Sequence, residues 1–202
     1  MININNPNYF IVDQLNTRSF LQLILYCVAP TIFAEKPATL VSFNNNRYQS
    51  KFFWDKFHNQ IFENCCYKLE SVEIRRTPTF VSVLFFRQDI LETIFKEDDK
   101  LETLKSFNQQ YSIELKQNLG VIKEQFLADQ FPHEVGIFLG IPAKDVISYI
   151  ENKGKNYLFN GYWKVYHYPW KTKKVFDSFD QAQKKMSEVI QKSFYTRADY
   201  NS

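Results

Sequence analysis

Residues 67–87 read Tyr67-Lys68-Leu69-Glu70-Ser71-Val72-Glu73-Ile74-Arg75-Arg76-Thr77-Pro78-Thr79-Phe80-Val81-Ser82-Val83-Leu84-Phe85-Phe86-Arg87. Leu69, Val72 and Ile74 alternate in part with polar residues, and the second half is β-branched and aromatic, which is strand composition. Thr77-Pro78 falls between the two runs, where the chain must reverse, so the stretch predicts an antiparallel hairpin.

Helical spacing surrounds it. Upstream, residues 47–64 place Phe52, Phe53, Phe57, Ile61 and Phe62 on a helix, after an Asn44-Asn45-Asn46 turn and an extended piece over 38–43. A first helix is expected over 17–28, capped by Asn16 and ended by Pro30. Downstream, helices are expected over 88–95 and, past Glu97-Asp98-Asp99, twice more up to residue 128. A helical hairpin follows at about 132–153, with Gly154 placed to end it. Residues 157–168 read as another strand, and a last helix runs over 178–193. The sum is an α+β fold: a small, mainly antiparallel sheet made of the hairpin at about 67–87 and the strand at about 157–168, packed with several helices. No linker rich in Pro, Gly or Ser interrupts it, so residues 1–202 are expected to be one domain.

The composition narrows the class. A 45% hydrophobic and 23% charged chain is that of an ordinary globular protein, and a net charge of +3 permits acidic partners without requiring them. No run of about 18 apolar residues predicts a membrane span, and Met1-Ile2-Asn3-Ile4 lacks the layout of a secretion signal. Three cysteines do not make a disulfide framework, which points to a reducing cytoplasm. No metal site is expected: Cys65 and Cys66 are adjacent, so a strand would turn them to opposite faces, and His58 stands alone. His167 alternates with aromatics and reads as a strand-end residue, and Lys171-Thr172-Lys173-Lys174 as a solvated turn.

The densest cluster of unusual residues begins at Phe131-Pro132-His133-Glu134. Pro132 suits a first helical turn, which places His133 and Glu134 beside unsatisfied backbone amides. The pair reads either as a cap, the favoured reading, or as catalytic groups with His133 the general base and Glu134 its orienting carboxylate. Residues 135–150 also have the layout of a helix-turn-helix, but the second helix offers Lys144, Asp145, Ser148 and Glu151, too acidic to face phosphates. A packing hairpin is favoured, and nucleic acid is not the expected partner.

The cluster continues as Gly136-Ile137-Phe138-Leu139-Gly140, then Glu151-Asn152-Lys153-Gly154-Lys155-Asn156, then Gly161-Tyr162-Trp163-Lys164-Val165-Tyr166. With Ala29-Pro30-Thr31, Lys36-Pro37-Ala38 and Leu40 near the start, and Phe86-Arg87 after the hairpin, these blocks resemble the DUF3793 family. The chain departs from it in having Cys27-Val28 before Ala29, where family members often have His-Cys, and in having no cysteine after Cys66. Thiol chemistry is therefore not carried over. The resemblance implies a soluble bacterial protein of this fold, with an accessory role in redox or iron metabolism; it supplies no activity.

Lys155, Asn156 and Lys164 with Tyr162 and Trp163 combine positive charge with stacking surfaces, a combination suited to a flat anionic ligand. Lys36 and Arg87, basic residues of the other resembling blocks, would join them if the strand ends meet. The leading expectation is a cytoplasmic binding or accessory domain for a small anionic ligand or a protein partner, cofactor unknown, with no membrane involvement. The rivals are an enzyme using His133 and Glu134 for proton transfer, and a helix-turn-helix regulator.

Overall fold

The computed structural model describes residues 17–45, 49–61, 68–128 and 131–198. Asn16, Asn46, Arg47, Cys65, Cys66 and Tyr67 lie outside them, so the expected cap, part of the Asn turn and the paired thiols are not described further. In chain order the elements are α1 (Thr17–Phe33), β1 (Ala38–Asn44), α2 (Ser50–Ile61), β2 (Glu70–Arg76), β3 (Phe80–Phe86), α3 (Gln88–Ile94), α4 (Asp98–Phe107), α5 (Leu115–Gln125), α6 (Val135–Phe138), α7 (Ala143–Glu151), β4 (Phe159–Asn160), β5 (Lys164–Val165) and α8 (Pro169–Ala198).

The predicted hairpin is present as β2 and β3. The Thr77 hydroxyl accepts the N–H groups of Thr79 (3.3 Å) and Phe80 (3.0 Å), and Thr77 N–H donates to Phe80 O, closing the turn. The extended piece at 38–43 joins it as β1, giving an antiparallel sheet in the order β1-β3-β2, with Leu40 opposite Leu84 and Val72 on its other side. Central β3 is buried on both faces, which is why its apolar run is almost continuous. Leu84 and Phe86 join Ala38, Leu40 and Ile74 on a face covered by Leu91, Leu104, Ile122, Phe138 and Val146 of the helices α3 to α7. Val81, Val83 and Phe85 join Val41 and Phe43 on the other, covered by α1 through Phe20, Ile24 and Val28 and by α2 through Trp54. Trp54 stacks on Phe43 with ring centres 5.1 Å apart.

Five expectations are revised. Helix α1 does not stop at Pro30 but passes through it to Phe33. The ring costs one backbone hydrogen bond, but Ala29 is packed against Met186 and Ile190 of α8, and Thr31 bonds Thr39 across to β1 at 2.8 Å. Helix α2 begins at Ser50 rather than 47, after Gln49 in the left-handed region (φ +48°), and the expected residues 62–64 lie outside the described residues. Helix α8 begins at Pro169, nine positions before the expected 178, because Pro suits a first helical position. The Lys171–Lys174 run is therefore helical, with Thr172 and Phe176 on the buried side. Finally, the strand expected over 157–168 folds back on itself into the two short strands β4 and β5. A Cβ at Gly161 would overlap the Phe176 ring, so the turn lies directly on α8. The α+β class and the antiparallel sheet stand.

Candidate functional site

Helix α6 and helix α7 cross closely at Gly136, where a Cβ would lie 2.9 Å from Val146 Cγ2. Helix α6 has only four residues, and Pro132, His133 and Glu134 form the turn before it rather than its first helical turn. Helix α7 ends in a left-handed Gly154 (φ +69°) whose N–H returns to Tyr149 O at 2.8 Å. That ending leaves Gly154 O free to accept Lys164 Nζ at 2.7 Å from β5.

The β4–β5 hairpin is tied to α7 from inside. Asp145, 1% exposed, accepts Trp163 Nε1–H (3.0 Å) on one carboxylate oxygen. The other oxygen accepts the backbone N–H groups of Tyr166 (3.1 Å) and His167 (2.9 Å). His167 Nε2 lies 3.0 Å from Ser148 Oγ, covering the next turn of α7. From behind, the hairpin rests on α8: Trp163 meets Phe176 edge to face at 4.5 Å, and Tyr162 donates its hydroxyl to Asp180 at 2.7 Å.

Between α6–α7 and this hairpin lies a groove of about 590 Å³. It brings together four of the residues singled out from sequence: His133, Tyr162, Trp163 and Lys164. Tyr149 supplies a further aromatic wall, 5.3 Å from the His133 ring, with Lys164 Nζ 5.8 Å from its own ring centre. The Lys164 ammonium also lies 5.0 Å from the Tyr157 ring. Against the Tyr162–Trp163 side is a smaller cavity of about 50 Å³ that Lys36 and Thr39 also line.

Other expected residues go elsewhere. Glu134 is buried, facing the Tyr111 hydroxyl at 3.5 Å, and no hydrogen bond joins it to exposed His133 among the described residues. Burial and the neighbouring Glu134 carboxylate hold the Tyr111 phenol well above its usual range. Lys155 and Asn156 are exposed on the loop after α7 and do not line the groove. The strand ends do meet, since Arg87 N–H donates to Pro37 O at 3.0 Å, but the Arg87 side chain turns to a separate cleft and pairs with Asp89 at 2.6 Å. That ion pair raises the Arg87 pKa.

Asp145, which lines the groove, and Tyr166, whose backbone N–H it accepts, were not singled out. Asp145 falls on the buried side of α7 beside Ala143 and Val146, an acidic residue at a core position, and that was the available signal. Tyr166 carries a shielded hydroxyl with no hydrogen-bond partner among the described residues. Burial, then the neighbouring Tyr149, Asp145 and Tyr157, raises its pKa. Among the described residues no group of three or more His, Cys, Asp or Glu side chains could hold a metal ion, and no helix is long and apolar enough to cross a membrane.

No curated protein and no solved structure matches the chain. The model of one family, described as a protein of unknown function, matches residues 24–197, which takes in α1 from Ile24, the whole sheet and both sides of the groove. The chain belongs to the DUF3793 family.

Proposed function

We propose that this chain is a cytoplasmic binding domain, and that the α6–α7/β4–β5 groove takes a small, flat ligand carrying negative charge. The observation that supports it is the convergence of Trp163, Tyr149, His133 and Lys164 on one cavity of about 590 Å³, within the ordinary size of small-molecule sites. Trp163 is held at its edge by Asp145, so its ring is positioned before a ligand arrives. Lys164 uses one of its three N–H donors on Gly154 O, leaving donors for an anionic group.

The proton-transfer reading has less support, because Glu134 is buried away from the groove that His133 lines. Nucleic-acid recognition also has less support. Ser148 of α7 is engaged by His167, and Asp145 of the same helix is buried.

Thermal-shift and calorimetric titration with nucleotides, flavins, haem and metal ions tests the proposal. Ligand at one hundred times its dissociation constant adds about 2.7 kcal/mol of stability. One anionic aromatic class should stabilise the wild type, and W163A and K164M should each weaken it at least tenfold. Equal affinity in those variants would sink the groove as the site. No stabilisation by any member of the panel would turn the reading to a protein partner.

A further inference from the structure

One reactive group beside the groove has no part in the binding just proposed. Lys36 lies on the connection between α1 and β1 and is buried, with no acidic partner in an ion pair among the described residues. Its Nζ donates to the Ala38 carbonyl and to Thr39 Oγ1 (3.3 Å), while the Phe179 ring centre is 6.0 Å away. An ammonium with three donors and no counter-charge is poorly accommodated there, and burial pushes the Lys36 pKa down to about 7. As the neutral amine it satisfies both acceptors with its two N–H bonds and keeps its lone pair unengaged.

Beside the amine is the cavity of about 50 Å³, whose other walls include Leu139, Tyr162 and Trp163, shared with the groove. A cavity needs about 10–15 Å³ of such space to hold one water, so this one admits a carbonyl group with a small neighbouring substituent.

We propose that Lys36 is a nucleophilic amine that captures the carbonyl carbon of an aldehyde or ketone ligand as an imine. The carbonyl would occupy the small cavity and the rest of the molecule would lie along Trp163, so the proposal rests on the reading that the groove admits a ligand. Nζ attacks the carbonyl carbon, forming a C–N bond and a carbinolamine. The carbonyl oxygen then leaves as water with the two amine protons, giving C=N without net oxidation or reduction. The reaction is reversible by hydrolysis. A protonated ammonium has no lone pair and cannot attack, so an amine held neutral by burial has the advantage.

The test uses the full chain with limiting glyoxylate, pyruvate or pyridoxal phosphate and cyanoborohydride, which reduces an imine to a stable secondary amine, followed by peptide mass mapping. Lys36 should carry at least tenfold more label than exposed lysines such as Lys144, with a labelling rate half-maximal near pH 7. K36R should lose that label. Label confined to exposed lysines, with Lys36 unmodified, overturns the proposal, and the wild-type map decides this even if K36R does not fold. If a panel ligand binds the groove while Lys36 stays unlabelled, the imine fails and the groove reading stands. Label on Lys36 without binding by any panel ligand supports the imine and replaces nucleotides, flavins and haem by a carbonyl compound as the ligand of the groove.

Discussion

Asp145 and Trp163 meet through one buried hydrogen bond, indole N–H to carboxylate at 3.0 Å, and that bond joins the two sides of the groove. The same carboxylate caps two backbone N–H groups of the segment leaving β5, so one side chain satisfies three donors. Hydrogen bonds to a charged acceptor are stronger than neutral ones, and a donor left buried without a partner costs free energy of its own.

Replacing Asp145 by Ala should therefore cost about 3 kcal/mol, lowering Tm by roughly 6–12 °C. Asn keeps one acceptor oxygen but turns an N–H₂ toward a donor, so D145N should lie between Ala and wild type. Calorimetry measures the first effect, and amide exchange over residues 158–167 should show the hairpin losing protection before the sheet. A D145A variant melting within a degree of wild type would remove the carboxylate from this role.

Lys36 gives stability a pH dependence whose sign is set by its lowered pKa. The unfolded side chain binds its proton up to about pH 10.5, whereas the folded one releases it above about 7. Between these values the unfolded state holds more protons, so this contribution to stability rises with pH, by up to about 1.4 kcal/mol per pH unit. It is fully present above 10.5 and lost as pH falls through about 7. K36M should be more stable than wild type at pH 6, and the gap should narrow steadily toward pH 10. Paired melts of the two proteins measure it; a gap independent of pH contradicts the burial argument.

Cys27 works in the opposite direction. Burial among Phe20, Ile24 and Val28 of α1 and the sheet residues Phe43 and Phe85 pushes its thiol from 9.0 up to about 12. Folding thus favours the protonated form, and its contribution is intact below pH 9 and lost as pH rises through about 12. Iodoacetamide at pH 8 should leave the Cys27 peptide unlabelled in the native protein and label it fully in urea. Rapid native labelling would show that α1 opens locally.

Three glycine-to-alanine variants should separate by sign. Gly120 is exposed within α5 with nothing within 4 Å of a Cβ, so G120A should stabilise by about 0.5–1 kcal/mol. G154A forces an alanine into φ +69° against the Tyr149 ring and Lys164 Nζ and should destabilise by about 1–2 kcal/mol. G161A drives a methyl into the Phe176 ring and should cost more than either, unless Phe176 is shortened in the same chain. Denaturant melts rank the three, and an unaffected G161A would mean that the hairpin turn does not depend on its seat against α8.

What could be read from the chain follows a physical divide. The β2–β3 hairpin is encoded locally by alternation and by Thr77-Pro78, and the short piece at 38–43 is apolar enough to announce a strand. Pro30 inside α1 was not legible, because what permits it is Met186 and Ile190 arriving from the far end of the chain. The fold-back at Gly161 likewise depends on Phe176, and what Asp145 holds was not legible because its donors are 18 to 22 residues downstream. At the site, Tyr162, Trp163 and Lys164 were legible as one motif, and the groove adds His133. Arg87 was not separable from Lys36 by sequence: the two lie at meeting strand ends, yet their side chains enter different cavities.

Helix α8 spans 30 residues, about 45 Å at 1.5 Å per residue, and its successive turns serve distant parts of the molecule. Phe176 and Asp180 support the groove hairpin, Phe179 faces Lys36, and Met186 and Ile190 close over α1. During synthesis the amino-terminal parts emerge first, at about 5–20 residues per second. The three-stranded sheet can therefore assemble on the ribosome while Trp163 still lacks its Phe176 backing and Ala29 its cover. The groove and the outer face of α1 are completed by the same late event, so a stalled chain would expose both at once.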